Sequence, residues 1–341
     1  MITLTDYTAD ELSTQLGIAP FQGRQLFRWL HGKNAASFDA MTDLPKALRT
    51  QLAECAVPRR LELVQMQESE RTGTRKALLR LADGETVEAV LIRERDRRTI
   101  CVSSQVGCAL QCDFCATGLA GLTRNLSPGE IVEQALYLLG DEARDARTPN
   151  IVFMGMGEPF RNYDAVMRAI ALFMDPGGLG IGARKITVST AGEAKGIERF
   201  VDAPGQVRLS VSLHAANDAL RDRLVPLNRR FPLARLRQAI DAYQAASGRQ
   251  LTLEWTLLDG VNDTPEHAAE LVAFIDRRKL FVNLIPWNPV VGIDYRPTPM
   301  PTAKRFRDVL VRAGVKATLR AEKGQDIDAA CGQLRRTQGA A

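Results

Sequence analysis

The chain lacks the features that direct a protein into or across a membrane. No window of its 341 residues approaches the roughly 18 continuous apolar residues of a membrane span. Residues 1–6 carry neither the basic start nor the apolar run of a signal peptide. These absences predict a cytoplasmic protein without membrane contact, in which clustered cysteines more often serve metal binding or catalysis than structural disulfides.

Internal repeats, low-complexity stretches and long linkers are also lacking, and histidine is scarce, with three in the chain. The composition, 45% hydrophobic and 25% charged, is that of an ordinary globular protein. The length suits one large domain with an appendage. A net charge of +5 is compatible with a polyanionic partner but does not establish one.

Three of the six cysteines lie within eight residues, at Cys108, Cys112 and Cys115. The spacing C-x3-C-x2-C lets one short loop direct three thiolates at a metal centre. A structural zinc site normally has four ligands, whereas a [4Fe–4S] cluster held by three cysteines leaves one iron for an external ligand. The spacing favours an iron–sulfur cluster over zinc or over redox and disulfide use. With Phe114 before the last cysteine, it resembles the motif of the radical S-adenosylmethionine (SAM) superfamily, where SAM chelates the open iron.

Two further cysteines lie outside this motif. Cys101 precedes Cys108 by seven residues, and Cys331 lies in the C-terminal segment. Either side chain could be a fourth metal ligand or be merely buried. Thiolates also serve as nucleophiles, and a pair could alternate between dithiol and disulfide. Spacing alone does not decide between these roles. Cys55 is predicted to be a small buried hydrophobe.

Residues 1–56 are predicted to be helical, because leucine and phenylalanine recur there at helical spacing. Basic and aromatic residues are interleaved between Arg24 and Lys33. A helical bundle with a solvated charged face explains this pattern. An RNA-contacting accessory domain explains it equally well, since phosphates attract Lys and Arg and unpaired bases stack on aromatic rings. Residues 57–86 resemble strands and turns and are predicted to form a small β linker region.

Strands and helices alternate from residue 87 onward, which predicts an α/β core domain over residues 87–341. Repeated βα units imply a parallel sheet. We predict an incomplete (β/α) barrel with its functional residues at the C-terminal ends of the strands; a doubly wound open sheet is the alternative. Strands are predicted at 87–92, 99–102, 150–154, 185–189, 207–213, 251–257, 281–284 and 316–319, and helices at 127–140, 163–174, 193–202, 232–246, 264–279 and 301–313.

Polar residues follow several of these predicted strands. Each one alone is more typical of a turn or cap, but their convergence predicts a binding pocket. The glycine-rich turn at 155–159 resembles the element that holds the SAM amino group in radical SAM enzymes, and Glu158 could accept a hydrogen bond from a ligand ammonium. For His214, a local hydrogen bond and a ligand contact are both open. The polar strand-end candidates are Glu158, Ser189, Ser212, His214 and Asn288, with Gly157 in the turn.

Together these motifs resemble the bacterial radical SAM RNA adenosine methyltransferases of the RlmN type. The resemblance covers nearly the whole chain and includes the helical accessory domain of that family. The matching stretches lie, in the family's order, at 21–30, 38–44, 87–92, 101–118, 155–159, 212–215, 285–289 and 326–334.

The resemblance implies a two-stage methyl transfer that uses two SAM molecules per turnover. Cys331 matches the cysteine that first takes a methyl group, becoming S-methylcysteine. One [4Fe–4S] cluster on Cys108, Cys112 and Cys115 then cleaves a second SAM, and the resulting radical removes a hydrogen from that methyl group, which adds to an adenine ring carbon. Cys101 matches the resolving cysteine, which forms a transient disulfide with Cys331 and frees the methylated base.

Further roles also come from the resemblance. Glu88 falls where the family has a proposed proton acceptor, although Cys101 could also take the ring proton. An electron donor such as flavodoxin and a monomeric chain are expected. The residues that match the family's SAM contacts are Gly157, Glu158, Ser189, Ser212, His214 and Asn288.

For RlmN-type enzymes the product is 2-methyladenosine, made in the peptidyl-transferase region of 23S rRNA and beside the anticodon of tRNA. Three basic pairs, at 59–60, 75–76 and 229–230, would suit such RNA substrates. Enzymes of the Cfr type, which confer antibiotic resistance, share the cysteines but methylate carbon 8, and the catalytic motifs do not separate the two. We favour carbon 2 as the commoner housekeeping activity. A zinc-stabilised RNA-binding protein is the alternative from another class, although it would not need the Cys101 and Cys331 segments.

Overall fold

The computed structural model describes residues 2–94, 96–140, 148–276, 278–320 and 324–334. Parts of the predicted domain 87–341 lie outside the described residues: 95, 141–147, 277, 321–323 and 335–341. None of the described helices is both long and apolar enough to span a bilayer.

The inner parallel strands are mostly buried and rich in apolar and β-branched residues, such as Ile-Thr-Val-Ser-Thr at Ile186–Thr190. The strands of the described residues are β1 (Ile2–Thr3), β2 (Ala56–Val57), β3 (Glu62–Glu68), β4 (Arg75–Arg80), β5 (Thr86–Glu94), β6 (Arg97–Cys101), β7 (Gln105–Gly107), β8 (Leu122–Asn125), β9 (Asn150–Phe153), β10 (Ile186–Thr190), β11 (Arg208–Ser212), β12 (Leu251–Leu257), β13 (Leu280–Pro286) and β14 (Lys316–Leu319).

Helices begin where the sequence supplies capping residues. Before one helix, Ser127 accepts a hydrogen bond from the Glu130 amide and Glu130 accepts one from the Ser127 amide, with Pro128 at the first helical position. The α-helices are α1 (Ala9–Leu16), α2 (Pro20–Phe27), α3 (Lys46–Cys55), α4 (Ala116–Leu119), α5 (Pro128–Leu139), α6 (Tyr163–Met174), α7 (Ala194–Arg199), α8 (Asp218–Leu224), α9 (Leu233–Ser247), α10 (Pro265–Ile275) and α11 (Met300–Arg312).

A single ten-stranded sheet forms the centre of the fold. Its parallel strands are adjacent in chain order, from β6 and β9 through β10, β11, β12 and β13 to β14. Among the described strands, each new parallel strand is therefore added on the same side of the one before it. A doubly wound sheet requires the strand order to reverse at one point. Within the same residues, β3 and β14 are unjoined edges, so the barrel is open. The predicted incomplete (β/α) barrel is confirmed.

Antiparallel strands β5, β4 and β3 extend the same sheet beyond β6. Strands β3 and β4, which lie within the stretch predicted as a linker, are therefore hydrogen-bonded into the main sheet. The domain boundaries at residues 56 and 86 remain a prediction.

Segments on either side of the N-terminal helices are bound to the barrel through a buried carboxylate on α5. Glu133 accepts hydrogen bonds from Thr5 Oγ1 at 2.6 Å and from the amides of Arg60 and Leu61 at 2.9 and 2.8 Å. Burial raises the pKa of Glu133 to about 7, while these hydrogen bonds oppose the shift. One side chain thus joins the N-terminal region, the following segment and the barrel.

Two local features of the N-terminal region differ from the sequence prediction. The parallel pair β1–β2 joins its two ends, although strands of two residues leave no periodic signal. Cys55 is exposed rather than buried. It is the last residue of α3, whose buried positions are Leu48 and Leu52, so the apolar face of the helix points elsewhere.

Candidate active site

The three clustered cysteines occupy the loop between β7 and α4, and the antiparallel pairing of β7 with β8 closes this loop at its base. The Cys108 amide donates to the Gly121 carbonyl at 2.8 Å. Gly107 has φ +77°, and a Cβ there would collide with the same carbonyl oxygen, so only glycine fits. The loop therefore has a fixed base.

The tip of the cysteine loop is attached to the barrel at two points. The Asp113 amide donates to the Leu224 carbonyl at 3.1 Å, and Trp287 Nε1 donates to the Phe114 carbonyl at 2.9 Å. The Phe114 ring also meets His214 edge-on, with ring centroids 4.6 Å apart. These contacts fix the cysteines relative to the ends of β11 and β13.

A cavity of about 150 Å³ lies between this loop and the strand ends. It is lined by all three clustered cysteines and by five of the six residues predicted to contact SAM. Asn288 lines an adjacent, smaller cavity instead. The structure therefore brings together Cys108, Cys112, Cys115, Gly157, Glu158, Ser189, Ser212 and His214.

The cavity and its thiols fit an iron–sulfur cluster. Burial raises the pKa of the Cys108 thiol to about 12 and that of Cys112 well above its usual range. Such thiols become thiolates when a metal supplies the compensating charge. Among the described residues, no three Cys, His, Asp or Glu side chains are grouped tightly enough for one metal ion. Three cysteines lining one cavity match a four-iron cluster that keeps one iron free for an external ligand.

Glu158 is fixed in the cavity wall by backbone hydrogen bonds. Its Oε1 accepts from the Phe160 amide at 3.0 Å and its Oε2 from the Ala191 amide at 2.8 Å. Its own amide donates to Gln105 Oε1 at 2.8 Å. Burial raises the pKa of Glu158 to about 7. A ligand ammonium would favour the ionised form and find an oriented acceptor.

Gly157 makes this arrangement possible, and substitution there is expected to be costly. It has φ +101°, and a Cβ would lie 2.5 Å from Gln105 Cβ. Gly157→Ala is expected to lower the free energy of unfolding by about 2–4 kcal/mol, through backbone strain and overpacking. Gly84→Ala is the matched control, since Gly84 has φ +84° with open space around it. Denaturant titrations measure the free energy of unfolding of both variants. An equal decrease in the two would contradict the close approach at Gly157.

His214 is held as a neutral imidazole. Its backbone has φ +60°, and its Nδ1 accepts from the Thr256 amide at 2.9 Å. Burial lowers the pKa of His214 to about 3. Because Nδ1 accepts a hydrogen bond, the neutral ring carries its proton on Nε2. His214 thus makes the local hydrogen bond that the sequence left open, and its ring also lines the cavity in which a ligand would bind. Ser189 Oγ and Ser212 Oγ lie 3.5 Å apart on the neighbouring wall.

Cys101 and Cys331 line the second cavity, of about 40 Å³, between the sheet and the C-terminal segment (residues 324–334). Both are free thiols. Burial, and next the proximity of Cys331, raise the pKa of Cys101 to about 12. Cys331 also lines the larger cavity. It thus faces both the clustered cysteines and Cys101.

Arg320 is a functional candidate that the sequence prediction missed. Its Nη1 lies 3.5 Å from Cys331 Sγ, and its side chain lines the same cavity. A guanidinium this close stabilises negative charge on sulfur. Arg320 directly follows β14, so the rule that sites gather at strand ends could have found it.

The C-terminal segment is bound to the cysteine loop. The Ala116 amide donates to the Gly332 carbonyl at 2.8 Å, and Thr117 Oγ1 donates to the Leu334 carbonyl at 2.6 Å. These bonds flank Cys331 on its C-terminal side and fix it beside the loop.

The same segment is also bound to the loop after β13. Gln325 Nε2 donates to Asn288 Oδ1 at 2.7 Å, and Gln333 Nε2 donates to the Pro289 carbonyl at 3.0 Å. The predicted SAM contact Asn288 is therefore engaged with the segment that carries Cys331.

Arg221 is a second residue that the sequence prediction missed. It is fully buried and donates to the carbonyls of Ala191 at 2.7 Å and Leu213 at 3.1 Å, and to Asn228 Oδ1 at 2.9 Å. Burial lowers its pKa to about 10, and negative charge on nearby Cys112 would oppose that shift. It ties the ends of β10 and β11 together beside the cysteine loop.

Glu88 and the predicted RNA-contacting pairs lie in different environments. Glu88 on β5 is buried, and its Oε1 lies 3.1 Å from Lys76 Nζ. The assignment of Lys76 to an RNA-facing surface is wrong, because its side chain is buried in this ion pair. Arg59 is half-buried and donates to Asn34. Arg60, Arg229 and Arg230 are exposed.

Two family models match the chain. Residues 102–272 match the model described as the radical SAM superfamily, and residues 2–57 match the ribosomal RNA large subunit methyltransferase N-terminal domain. The radical SAM match includes the cysteine loop and the strand ends that line the larger cavity.

Curated relatives match over nearly the full length. A probable dual-specificity RNA methyltransferase RlmN of Moorella thermoacetica is 47% identical over 332 residues, which cover 96% of this chain and 94% of that protein. The dual-specificity RNA methyltransferase RlmN of Magnetococcus marinus is 46% identical, with 98% and 95% covered. Among solved structures, a radical SAM methyltransferase from Sphaerobacter thermophilus superposes with a TM-score of 0.94 at 45% identity, covering 98% of this chain and 99% of that one.

Proposed function

Because this chain belongs to the RlmN family of radical SAM methyltransferases, we propose that it methylates carbon 2 of adenosine in 23S rRNA and in tRNA beside the anticodon. Relatives named as dual-specificity RNA methyltransferases, aligned over nearly the whole chain, support this substrate class. The observation that carries the proposal is the position of Cys331, which lines both the cavity of the clustered cysteines and the cavity of Cys101.

The radical SAM family implies a [4Fe–4S] cluster and SAM. Bound together, they supply the one-electron chemistry that activates an otherwise inert methyl C–H bond. We assign the cluster to Cys108, Cys112 and Cys115, whose half-buried side chains line one cavity. We assign SAM binding to the residues at the strand ends, with two SAM molecules used per turnover: Gly157, Glu158, Ser189, Ser212, His214 and Asn288.

Cys331 is assigned as the methyl carrier. Its sulfur takes the methyl group of the first SAM by displacement: the new sulfur–carbon bond forms as the methyl–sulfonium bond breaks, S-adenosylhomocysteine leaves, and the thiol proton is lost to solvent. The Arg320 guanidinium, 3.5 Å away, favours the anionic sulfur that this step needs. The hydrogen bonds at Gly332 and Leu334 hold Cys331 against the cysteine loop during the transfer.

Cys101 is assigned as the resolving cysteine. Once the carbon on Cys331 is bonded to adenine, the Cys101 thiolate attacks the Cys331 sulfur. A disulfide forms, the sulfur–carbon bond breaks, and the carbon takes a proton to become the methyl group of the product. Glu88 is assigned as the acceptor of the ring proton. Its strand pairs with β6 so that Val90 is in register with Cys101, which places both groups on one face of the sheet.

The remaining parts of the proposal concern partners. We propose that an electron donor such as flavodoxin reduces the cluster and that the chain works as a monomer in the cytoplasm. We assign contacts with the phosphates of either RNA to exposed basic residues such as Arg60, Arg229 and Arg230.

The test is a nucleoside mass analysis of 23S rRNA and tRNA, separated after reaction with the reconstituted protein, SAM and a reductant. The expected product is 2-methyladenosine in both RNAs. Chromatography against synthetic standards separates it from 8-methyladenosine, which would instead indicate the Cfr-type reaction. Finding neither product, with a fully loaded cluster, would contradict the proposal.

A further inference from the structure

Lys76 is a buried charge that the mechanism above does not use. It lies on β4, 7% exposed, next to Ala77 and near Leu79, which are fully buried. Lysine is almost never this buried unless it is paired. Its ammonium lies 3.1 Å from Glu88 Oε1, and both side chains are shielded from solvent. An apolar side chain could occupy this position without the free-energy cost of desolvating a charge. The presence of a lysine here therefore indicates that its charge has a role.

The ammonium of Lys76 has a second partner, in the C-terminal segment. Nζ donates to the Asp328 carbonyl at 3.3 Å. Asp328 lies three residues before Cys331 and has φ +50°, so the chain turns sharply there. At the start of the segment, Gly324 packs on Thr74 of the same hairpin, since a Cβ at Gly324 would lie 3.0 Å from Thr74 Cγ2. The β3–β4 hairpin therefore supports the segment near both Gly324 and Asp328.

The sheet places Lys76 on the face that carries the catalytic groups. Lys76 is in register with Val90, Val90 with Cys101, and Cys101 with Val152. Residues in register point to the same face of a sheet. Glu88 lies two residues before Val90 and shares that face. The row runs from Lys76 across the sheet to the wall of the smaller cavity.

We propose that Lys76 is a positioning residue that holds Glu88 and the C-terminal segment in one arrangement with Cys331. This inference rests on the proposed function, which makes Glu88 the proton acceptor and Cys331 the methyl carrier. The ammonium stabilises the carboxylate form of Glu88, the form that accepts a proton. The same ammonium donates to the carbonyl of Asp328, so one cation contacts both groups.

The test compares variants at two positions on β4, Lys76 and Arg80. Lys76→Met keeps the length of the stem and removes the charge, while Lys76→Arg keeps the charge. Arg80→Met is the matched control, since it removes a cation from the same strand whose partner, Glu62, lies at the surface. Two quantities are measured: amide hydrogen exchange in the C-terminal segment of the purified protein, and single-turnover methyl transfer from pre-methylated protein to RNA.

In Lys76→Met, amide exchange in the C-terminal segment is expected to accelerate by about tenfold or more, as loss of a charge-assisted hydrogen bond implies. Methyl transfer is expected to slow by a similar factor. Exchange in the barrel strand β12 should stay unchanged, which separates this effect from general destabilisation. Lys76→Arg should restore most of both quantities, and Arg80→Met should alter neither.

Unchanged segment exchange together with unchanged transfer in Lys76→Met would overturn the proposal. If Lys76→Met does not fold, Lys76→Gln, which keeps a neutral hydrogen-bond donor, replaces it and is judged by the same two quantities. The exchange measurement needs no RNA product. A wild-type protein that makes no methyladenosine would therefore contradict the proposed function, while the exchange result would still decide whether Lys76 anchors the segment.

Discussion

Replacing Cys331 with alanine is expected to abolish methyladenosine formation while leaving the iron content of the protein unchanged. The methyl group has no other carrier in this mechanism, so the rate should fall by more than about a thousandfold, the scale on which loss of a covalent nucleophile acts. Cys331 lies next to the clustered cysteines without belonging to their loop, so cluster loading should be retained. The measurements are product formation and iron per protein chain.

Two other cysteine variants serve as controls for this result. Cys55→Ala removes an exposed thiol on α3 and should leave both quantities at the wild-type level. Cys101→Ala should stop the reaction at the resolving step, with the protein still bonded to RNA through Cys331, because no thiol is present to break the sulfur–carbon bond. Such an adduct resists denaturants and disappears on RNA digestion. Product formation by Cys331→Ala would contradict the covalent route.

Replacing Cys112 with alanine is expected to remove most of the iron and the brown colour of anaerobically reconstituted protein. A three-cysteine site has no spare ligand, since the described part of the loop offers only Cys108 and Cys115 besides Cys112. Methyl transfer should fall by more than about a thousandfold, as for the loss of any essential catalytic group. Iron and sulfide analysis and visible absorption measure the effect.

The fold of the Cys112→Ala variant should persist, since the loop is held by hydrogen bonds from Cys108, Asp113 and Trp287 that do not involve the Cys112 side chain. Far-ultraviolet circular dichroism checks this point, and Cys55→Ala is again the matched control. A colourless wild-type protein containing stoichiometric zinc would contradict the cluster assignment and favour the zinc-stabilised RNA-binding protein.

Much of the barrel could be predicted from the sequence because its strands are short runs rich in apolar and β-branched residues, which alternate with helical patterns. The predicted strand at 251–257 coincides with Leu251–Leu257, and the predicted helix at 163–174 coincides with Tyr163–Met174. The hairpin β7–β8 was not predicted, because strands of three and four residues carry too little periodicity to distinguish them from loop. Yet this hairpin fixes the base of the cysteine loop.

The candidate site could be predicted only in part. Strand-end polar residues are visible in the sequence, and five of the six predicted SAM contacts do meet in one cavity. Lys76 was assigned to the wrong surface and Arg221 was missed, because the sequence does not reveal that a charged residue is buried, and both resemble surface cations. Asn288 lines the other cavity, where its Oδ1 accepts a hydrogen bond from Gln325 Nε2, a contact between distant parts of the chain that no local pattern encodes.

The most direct test of the central claim is to follow the methyl carbon through Cys331 in a single turnover. Protein carrying a heavy-carbon methyl group on Cys331 is mixed with RNA, a reductant and SAM of ordinary carbon. The account predicts that the first methyladenosine formed carries the heavy carbon in its methyl group, which is bonded to carbon 2 of adenine. Cys331 should lose its labelled methyl group at the same rate. A first product of ordinary carbon, with the heavy methyl group still on Cys331, would contradict it.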